Sequence, residues 1–349
     1  MNARTLTLSE NAIRVAASLL GSTPGTVRQR VRASGLSDSS YRLAQKRLYE
    51  SGLVEDRYLP VPSALGLNRV SFVLARPFTD RIQETSQLIS SEPGAVVVLT
   101  GTQLVLGTVF HASEEGADQL RARLSSHVGG GVLAFLSLDP KEPRVPVYYD
   151  FEGAWAHFVG LRGTVHYPRP LPIGPGPSRW GRRASLIGAS ASLQLLRRPF
   201  PEMNGGRPSH LAGPATLPGS QRRLLEHGLV EWRVSLHPGV VPKYDNRSIA
   251  HLIMTRGTLR DQDGLPDLFS VLVGRCGVFP FLVASDGSQV LIGSLGTGLQ
   301  AGAQSPHRAV LSTISRHLGN LEVVREPMES VRAPLWQRYD RLLLGAAAA

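Results

Sequence analysis

Ten histidines and one cysteine are the side chains of this 349-residue chain best suited to ligate a metal or attack a substrate. No two histidines form an HExxH pair or stand one helical turn apart, so the spacing of a metal site is missing and none is expected. Cys276 stands alone, which excludes an intramolecular disulfide and a cysteine-based zinc site; in VGRCGVFPF it reads as a small core residue. GTGLQA at 296 to 301 has the Gly-x-Gly-x-x-Ala spacing of a dinucleotide loop. It lacks a helix directly behind it and an acid about 20 positions on, so it reads as a loop and no cofactor is expected. Two short turns answer each other in the sequence: Gly101, Thr102 and Gln103, and their counterparts Gly287, Ser288 and Gln289. These are the candidate residues for a small-molecule effector.

The remaining chemistry is that of charge. The chain carries 38 basic against 27 acidic residues, a formal +11, and all the basic ones except Lys46, Lys141 and Lys243 are arginine. Arginine forks match phosphates and guanine edges, and a basic excess favours a polyanionic partner. Between 28 and 47 six basic residues face one acid, whereas from 66 to 138 five basic residues are balanced by six acids. The candidate contacts to double-stranded DNA are therefore Arg28, Arg30, Ser39, Ser40, Arg42, Lys46, Arg47 and Arg57, with Arg222, Arg223 and Arg233 further on. A hydrophobic fraction of 42% describes a globular chain. No stretch reaches the 18 or so uninterrupted apolar residues of a membrane span, and the first residues lack a signal-peptide core, so a cytoplasmic protein is expected.

These residues are positioned by a repeat. RLYESGLVE at 47 to 55 returns as RLLEHGLVE at 223 to 231, Arg57 and Arg233 keep the same spacing, and GTQLVLG at 101 to 107 answers GSQVLIG at 287 to 293. A tandem duplication is the reading, and PRPLPIGPGP, with five prolines in ten positions, is a stiff linker between the copies. In the first copy LSENAIRVAASLL is expected as a helix with Ser9 as cap and a stripe through Ile13, Ala16, Ala17 and Leu20. TVRQRVRASG follows as a second helix. A third begins at Ser37 or Asp38, faces Tyr41, Ala44 and Leu48 inward and ends at Gly52. That is a helix-turn-helix, with LVEDRYLPV as its wing. Beyond it lie a strand at 70 to 78, a helix through Phe78, Ile82, Leu88 and Ile89, two strands about Gly101, a helix from Ser113 and a strand at VLAFLSL. The order is βαββαβ, a ferredoxin-like unit.

The fold class expected is α+β, a winged helix-turn-helix followed by a βαββαβ ferredoxin-like domain, written twice. The boundaries are 1–62 for the first winged helix, 66–138 for the first sensor domain, and 139–180 for a packing segment and linker. They continue with 181–240 for a degenerate second winged helix, 246–326 for the second sensor domain, and 327–349 for a C-terminal helix and tail. Pro218 and Gly219 weaken the second recognition helix, although nine basic residues face three acids from 176 to 240.

This arrangement, with RLYESGLVEDRYLPVPSALGLNRVSFVLARPF joining its halves, resembles the Lrp/AsnC family of feast/famine transcription regulators. The resemblance implies a DNA-binding regulator, not an enzyme, whose helix 39 to 50 enters the major groove. It also implies sensor sheets that associate, within the chain or in a homodimer, and that can sense a small molecule. The family's acid in the turn before the third sensor strand is replaced here by Leu104 and Val290. Siroheme decarboxylases are built from similar halves and use His, Tyr and Arg near the sheet to hold a tetrapyrrole carboxylate. The two central hairpins here carry neither His nor Arg, which sets that enzyme second. A protein-interaction module that has lost DNA binding is the other alternative.

Overall fold

The computed structural model describes residues 9–20, 27–51, 54–128, 131–139, 147–149, 226, 230–236, 250–261, 278–297, 312, 314–335 and 341–342. The fold is mixed α and β, with two antiparallel five-stranded sheets.

Helix α1 (Glu10–Leu20) starts at Ser9, whose Oγ accepts from the Ala12 N–H at 3.3 Å. It buries Ala12, Val15, Ala16 and Leu19. Of the expected stripe, Ala16 is buried, and the side chains of Ile13, Ala17 and Leu20 lie outside the described residues. After α2 (Val27–Ser34), helix α3 (Asp38–Glu50) is capped by Ser37, which accepts from the Ser40 N–H. Tyr41, Ala44, Leu48 and Tyr49 follow at helical spacing and are buried against α1, leaving the charged face to solvent.

Strand β1 (Val54–Pro60) pairs antiparallel with β7 (Val230–Leu236), the corresponding strand of the other copy. The register is centred on Arg57 opposite Arg233, so equivalent residues of the two copies meet about a local two-fold. Each expected wing is thus one strand of a shared ribbon.

The first sheet has the order β12-β3-β4-β2-β5, where β2 is Arg69–Ala75, β3 Ala95–Thr100, β4 Val105–His111, β5 Val132–Leu138 and β12 Arg332–Leu335. Helices α4 (Ile82–Ser91) and α5 (Glu114–His127) complete the chain order around it. The second sheet has the order β11-β8-β10-β9-β6, with β6 at Val147–Tyr149, β8 at Ala250–Leu259, β9 at Val278–Ser285, β10 at Gln289–Thr297 and β11 at Leu318–Pro327. Each copy lends its last strand to the other: β12 joins the β3 edge, with Arg332 opposite Thr100, and β6 joins the equivalent β9 edge, with Val147 opposite Ala284. Residues 332 to 335, expected within a C-terminal helix, are therefore a strand. An unpaired sheet edge is a liability that such a strand removes.

Both faces of the first sheet are covered, which explains why β2, β3 and β4 are mostly apolar. Phe72, Leu74 and Leu106 share a core with Met254, Phe281 and Leu291 of the second sheet, while Val73, Ala75, Val105 and Val109 pack with Ile89, Leu120 and Leu124 of α4 and α5. Each fully buried side chain of this size contributes roughly 1.5–3 kcal/mol, so the two sheets are held together strongly within one chain. Phe78, expected on the buried face of α4, precedes that helix in extended conformation and is exposed.

Candidate functional site

Polar residues interrupt the apolar strands at one end of the first sheet. Strand register places Arg69 opposite His111, and Ser71 opposite both Val109 and Ser137. Because Ser71 alternates with Val73, these residues share the face covered by α4 and α5. His111 is 7% exposed and Ser71 0%. His111 Nε2, Ser71 Oγ and Ser137 Oγ are buried without a hydrogen-bond partner. Native proteins pair nearly all such atoms, since each unpaired one costs about 1–3 kcal/mol. Three on one face of adjacent strands mark a place that a polar ligand would satisfy.

Charge surrounds this place. Arg69 pairs with the exposed Glu114 at 2.6 Å, at the first turn of α5, and Arg123 of α5 pairs with the buried Glu92 at 2.5 Å. Burial pushes the Glu92 carboxyl above the usual range, against the pull of Arg123. Burial likewise pushes the His111 imidazole down, to about 4, and the neighbouring Arg123 charge adds to the effect. His111 is therefore neutral at neutral pH. A carboxylate brought beside it would supply the opposite charge and raise its affinity for a proton. Exchanging the solvent-exposed Glu114 for an incoming carboxylate at Arg69 would cost little.

The two effector turns have different carboxylates in hand. Glu326, at the end of β11, lies fully buried. It accepts from the Thr102 N–H at 2.7 Å, the Thr102 hydroxyl at 2.6 Å, the Gln103 N–H at 3.1 Å and the Ser330 hydroxyl at 2.8 Å. These bonds hold its carboxyl below the usual range despite burial. Gly101 is required here, since a Cβ would stand 2.5 Å from the Glu326 side chain. In the second turn Asp286 accepts from Ser288 N–H and hydroxyl and from Gln289 N–H, beside Gly287. Thr100 occupies the position that Asp286 fills in the other copy, so the carboxylate missing from the first turn comes from the opposite copy.

Of the expected DNA contacts, Arg28 is exposed on α2, while Arg30 is half-buried beside Tyr41. On α3, Ser39, Arg42, Lys46 and Arg47 are exposed; Ser40 is half-buried and takes a hydrogen bond from Ser37. Arg42 pairs with Asp38 and Lys46 with Glu50. Arg57 and Arg233 meet in the β1–β7 register, and Arg222 and Arg223 lie outside the described residues. Sequence reasoning missed His111, Arg69, Ser71, Ser137, Arg123 and Glu92. The available signal was a lone serine in each of two apolar strands, RVSFVLA and VLAFLSL.

No protein-family model and no curated protein matches the chain. Among solved structures it is similar to the siroheme decarboxylase NirDL, at 13% identity and a TM-score of 0.44, covering 97% of this chain and 98% of that one. It is similar also to NirDL in co-complex with an iron-uroporphyrin III analogue, at 14% identity and a TM-score of 0.43, covering 98% and 100%. Aspartate kinase from Synechocystis follows at 8% identity and a TM-score of 0.28, covering 78% of this chain and 44% of that one. The expectation that the chain is not an enzyme is corrected by these findings, because the proteins it is similar to over nearly its whole length are an enzyme. Among the described residues no helix is long and apolar enough to cross a membrane.

Proposed function

We propose that this chain is an enzyme of the siroheme-decarboxylase kind, built as a tandem repeat of winged helix-turn-helix and βαββαβ units related to the Lrp/AsnC fold. Its substrate class would be a tetrapyrrole bearing carboxylate side chains. The observation that carries the reading is the cluster of unpartnered buried atoms, His111 Nε2 and the Ser71 and Ser137 hydroxyls, between Arg69 and Arg123. A neutral histidine held between guanidiniums gains a proton when a carboxylate docks. Breaking the bond to that carboxylate releases carbon dioxide and leaves an electron pair on carbon, conjugated with the macrocycle. The proton taken up by His111 then completes the carbon, and solvent restores it. Arg69 and Arg123 orient the carboxylate. In an optical titration with a carboxylate-bearing tetrapyrrole the full chain binds, and Arg69→Met weakens binding about tenfold or more. Equal affinity of parent and variant would remove the cluster from the site.

A second reading is favoured by α3, whose exposed Ser39, Arg42, Lys46 and Arg47 share one capped helix. It assigns the chain double-stranded DNA as partner. If Arg42 reaches a base, Arg42→Ala lowers affinity by about 1–3 kcal/mol and relaxes specificity, whereas loss of a phosphate contact reduces the salt slope by about 0.9.

A further inference from the structure

The end of β11 and the described residues beyond it contact the first copy. Glu326 enters the turn at Thr102, β12 pairs with β3, and Arg341 reaches the end of α4. There Arg341 Nη1 donates to the Ser90 carbonyl at 2.5 Å and Nη2 to the Glu92 carbonyl at 3.2 Å. The last carbonyls of a helix lack partners within it, and a guanidinium both satisfies them and opposes the negative end of the helix dipole. The segment that Arg341 holds continues directly into the site. Gly94 accepts from the Phe110 N–H at 2.9 Å, and a Cβ on Gly94 would stand 2.0 Å from the Phe110 carbonyl oxygen, so the chain is pressed against β4 one residue before His111. Glu92, in the same turn, turns its carboxylate to Arg123.

We propose that Arg341 is a positioning residue of the His111 site: by fixing the turn at 92 to 94 it sets the Glu92 carboxylate, which holds the Arg123 guanidinium beside His111. The inference rests on the reading of His111 as the functional histidine, and deepens it by giving the second copy a part in the first copy's site. Arg341 touches no group expected to meet substrate. Its effect passes through Glu92 and Arg123, whereas Arg69 on β2 and Glu114 on α5, the other charges at this end of the sheet, are independent of it.

The experiment is a titration of the full chain labelled at histidine and followed by NMR, with the His111 resonance assigned by its loss in His111→Phe. In the parent His111 titrates near 4. Arg123→Met removes the cation directly and moves the midpoint up by about half a unit or more. Arg341→Met does the same to a smaller extent, because Arg123 then leaves its place, and Arg341→Lys, which retains one donor and the charge, lies between Arg341→Met and the parent. If Arg341→Met is too unstable to study, the Lys variant alone decides, since its midpoint must exceed the parent's. A folded Arg341 variant whose His111 midpoint equals the parent's, while Arg123→Met shifts it, overturns the inference. The titration reads the same whether or not the chain decarboxylates anything, so its failure leaves the enzymatic reading to be judged separately.

Discussion

Replacing His111 with Phe should remove the part of the acid sensitivity between pH 7 and pH 5 that His111 contributes. The imidazole has a value of 6.5 in the unfolded chain and about 4 in the folded one. Its folded value is depressed, so the unfolded state binds the proton first, and stability falls as the pH drops below 6.5. With these two values the parent loses about 2 kcal/mol through His111 between pH 7 and pH 5, and Phe loses none of it. The substitution breaks no hydrogen bond at Nε2, which has no partner, so the cost at pH 7 is one of shape alone. Other groups do not obscure the window. The lowered carboxyls of Asp286 and Glu326 contribute stability that is lost only as the pH falls through values below their ordinary ones. Glu92, raised by burial, acts in the opposite direction and is common to both proteins. Urea unfolding of parent and variant followed by circular dichroism at the two pH values measures the difference. An equal pH dependence in the two proteins refutes the buried, neutral His111.

Glu326→Gln should destabilise the chain by about 1–3 kcal/mol at pH 7, because three donors from the Thr102 turn lose a charged acceptor; below the folded pKa of Glu326 the difference should vanish, as unfolding at acid pH will read. Gly101→Ala places a Cβ against the same side chain and should cost about 1–3 kcal/mol, much of it recovered when Glu326→Ala is combined with it in a double-mutant cycle. Arg42→Ala should change unfolding stability by about 0.5 kcal/mol or less, because its pair with Asp38 is solvent-exposed on both sides; a larger loss would mean that α3 packs against something on its outer face.

The helices and strands of the first copy were legible because local signals decide them. Ser37 caps α3, Tyr41, Ala44 and Leu48 recur at helical spacing, and a polar turn separates β3 from β4. Association of the two sheets was expected, but the strands exchanged between the copies were not legible. VYY and RAPL are too short to show alternation, and they become strands because the β9 and β3 edges accept them. The wing pairing and the Glu326 contact depend on residues far apart in sequence, and only the repeat hinted at them. The candidate ligand residues read from the sequence lie at the central hairpins, whereas the proposed cluster of Arg69, Ser71, Ser137 and His111 comes from three strands at the opposite end of the sheet and is brought together only by register.

Turnover by the purified chain tests the central claim most directly. Incubated without oxygen with siroheme and followed by mass spectrometry of the tetrapyrrole, the parent should convert it to products lacking carbon dioxide, and His111→Gln should bind the same compound but react about a hundredfold more slowly or less. Folded parent protein that returns the tetrapyrrole unchanged, or a His111→Gln variant as active as the parent, would contradict the account.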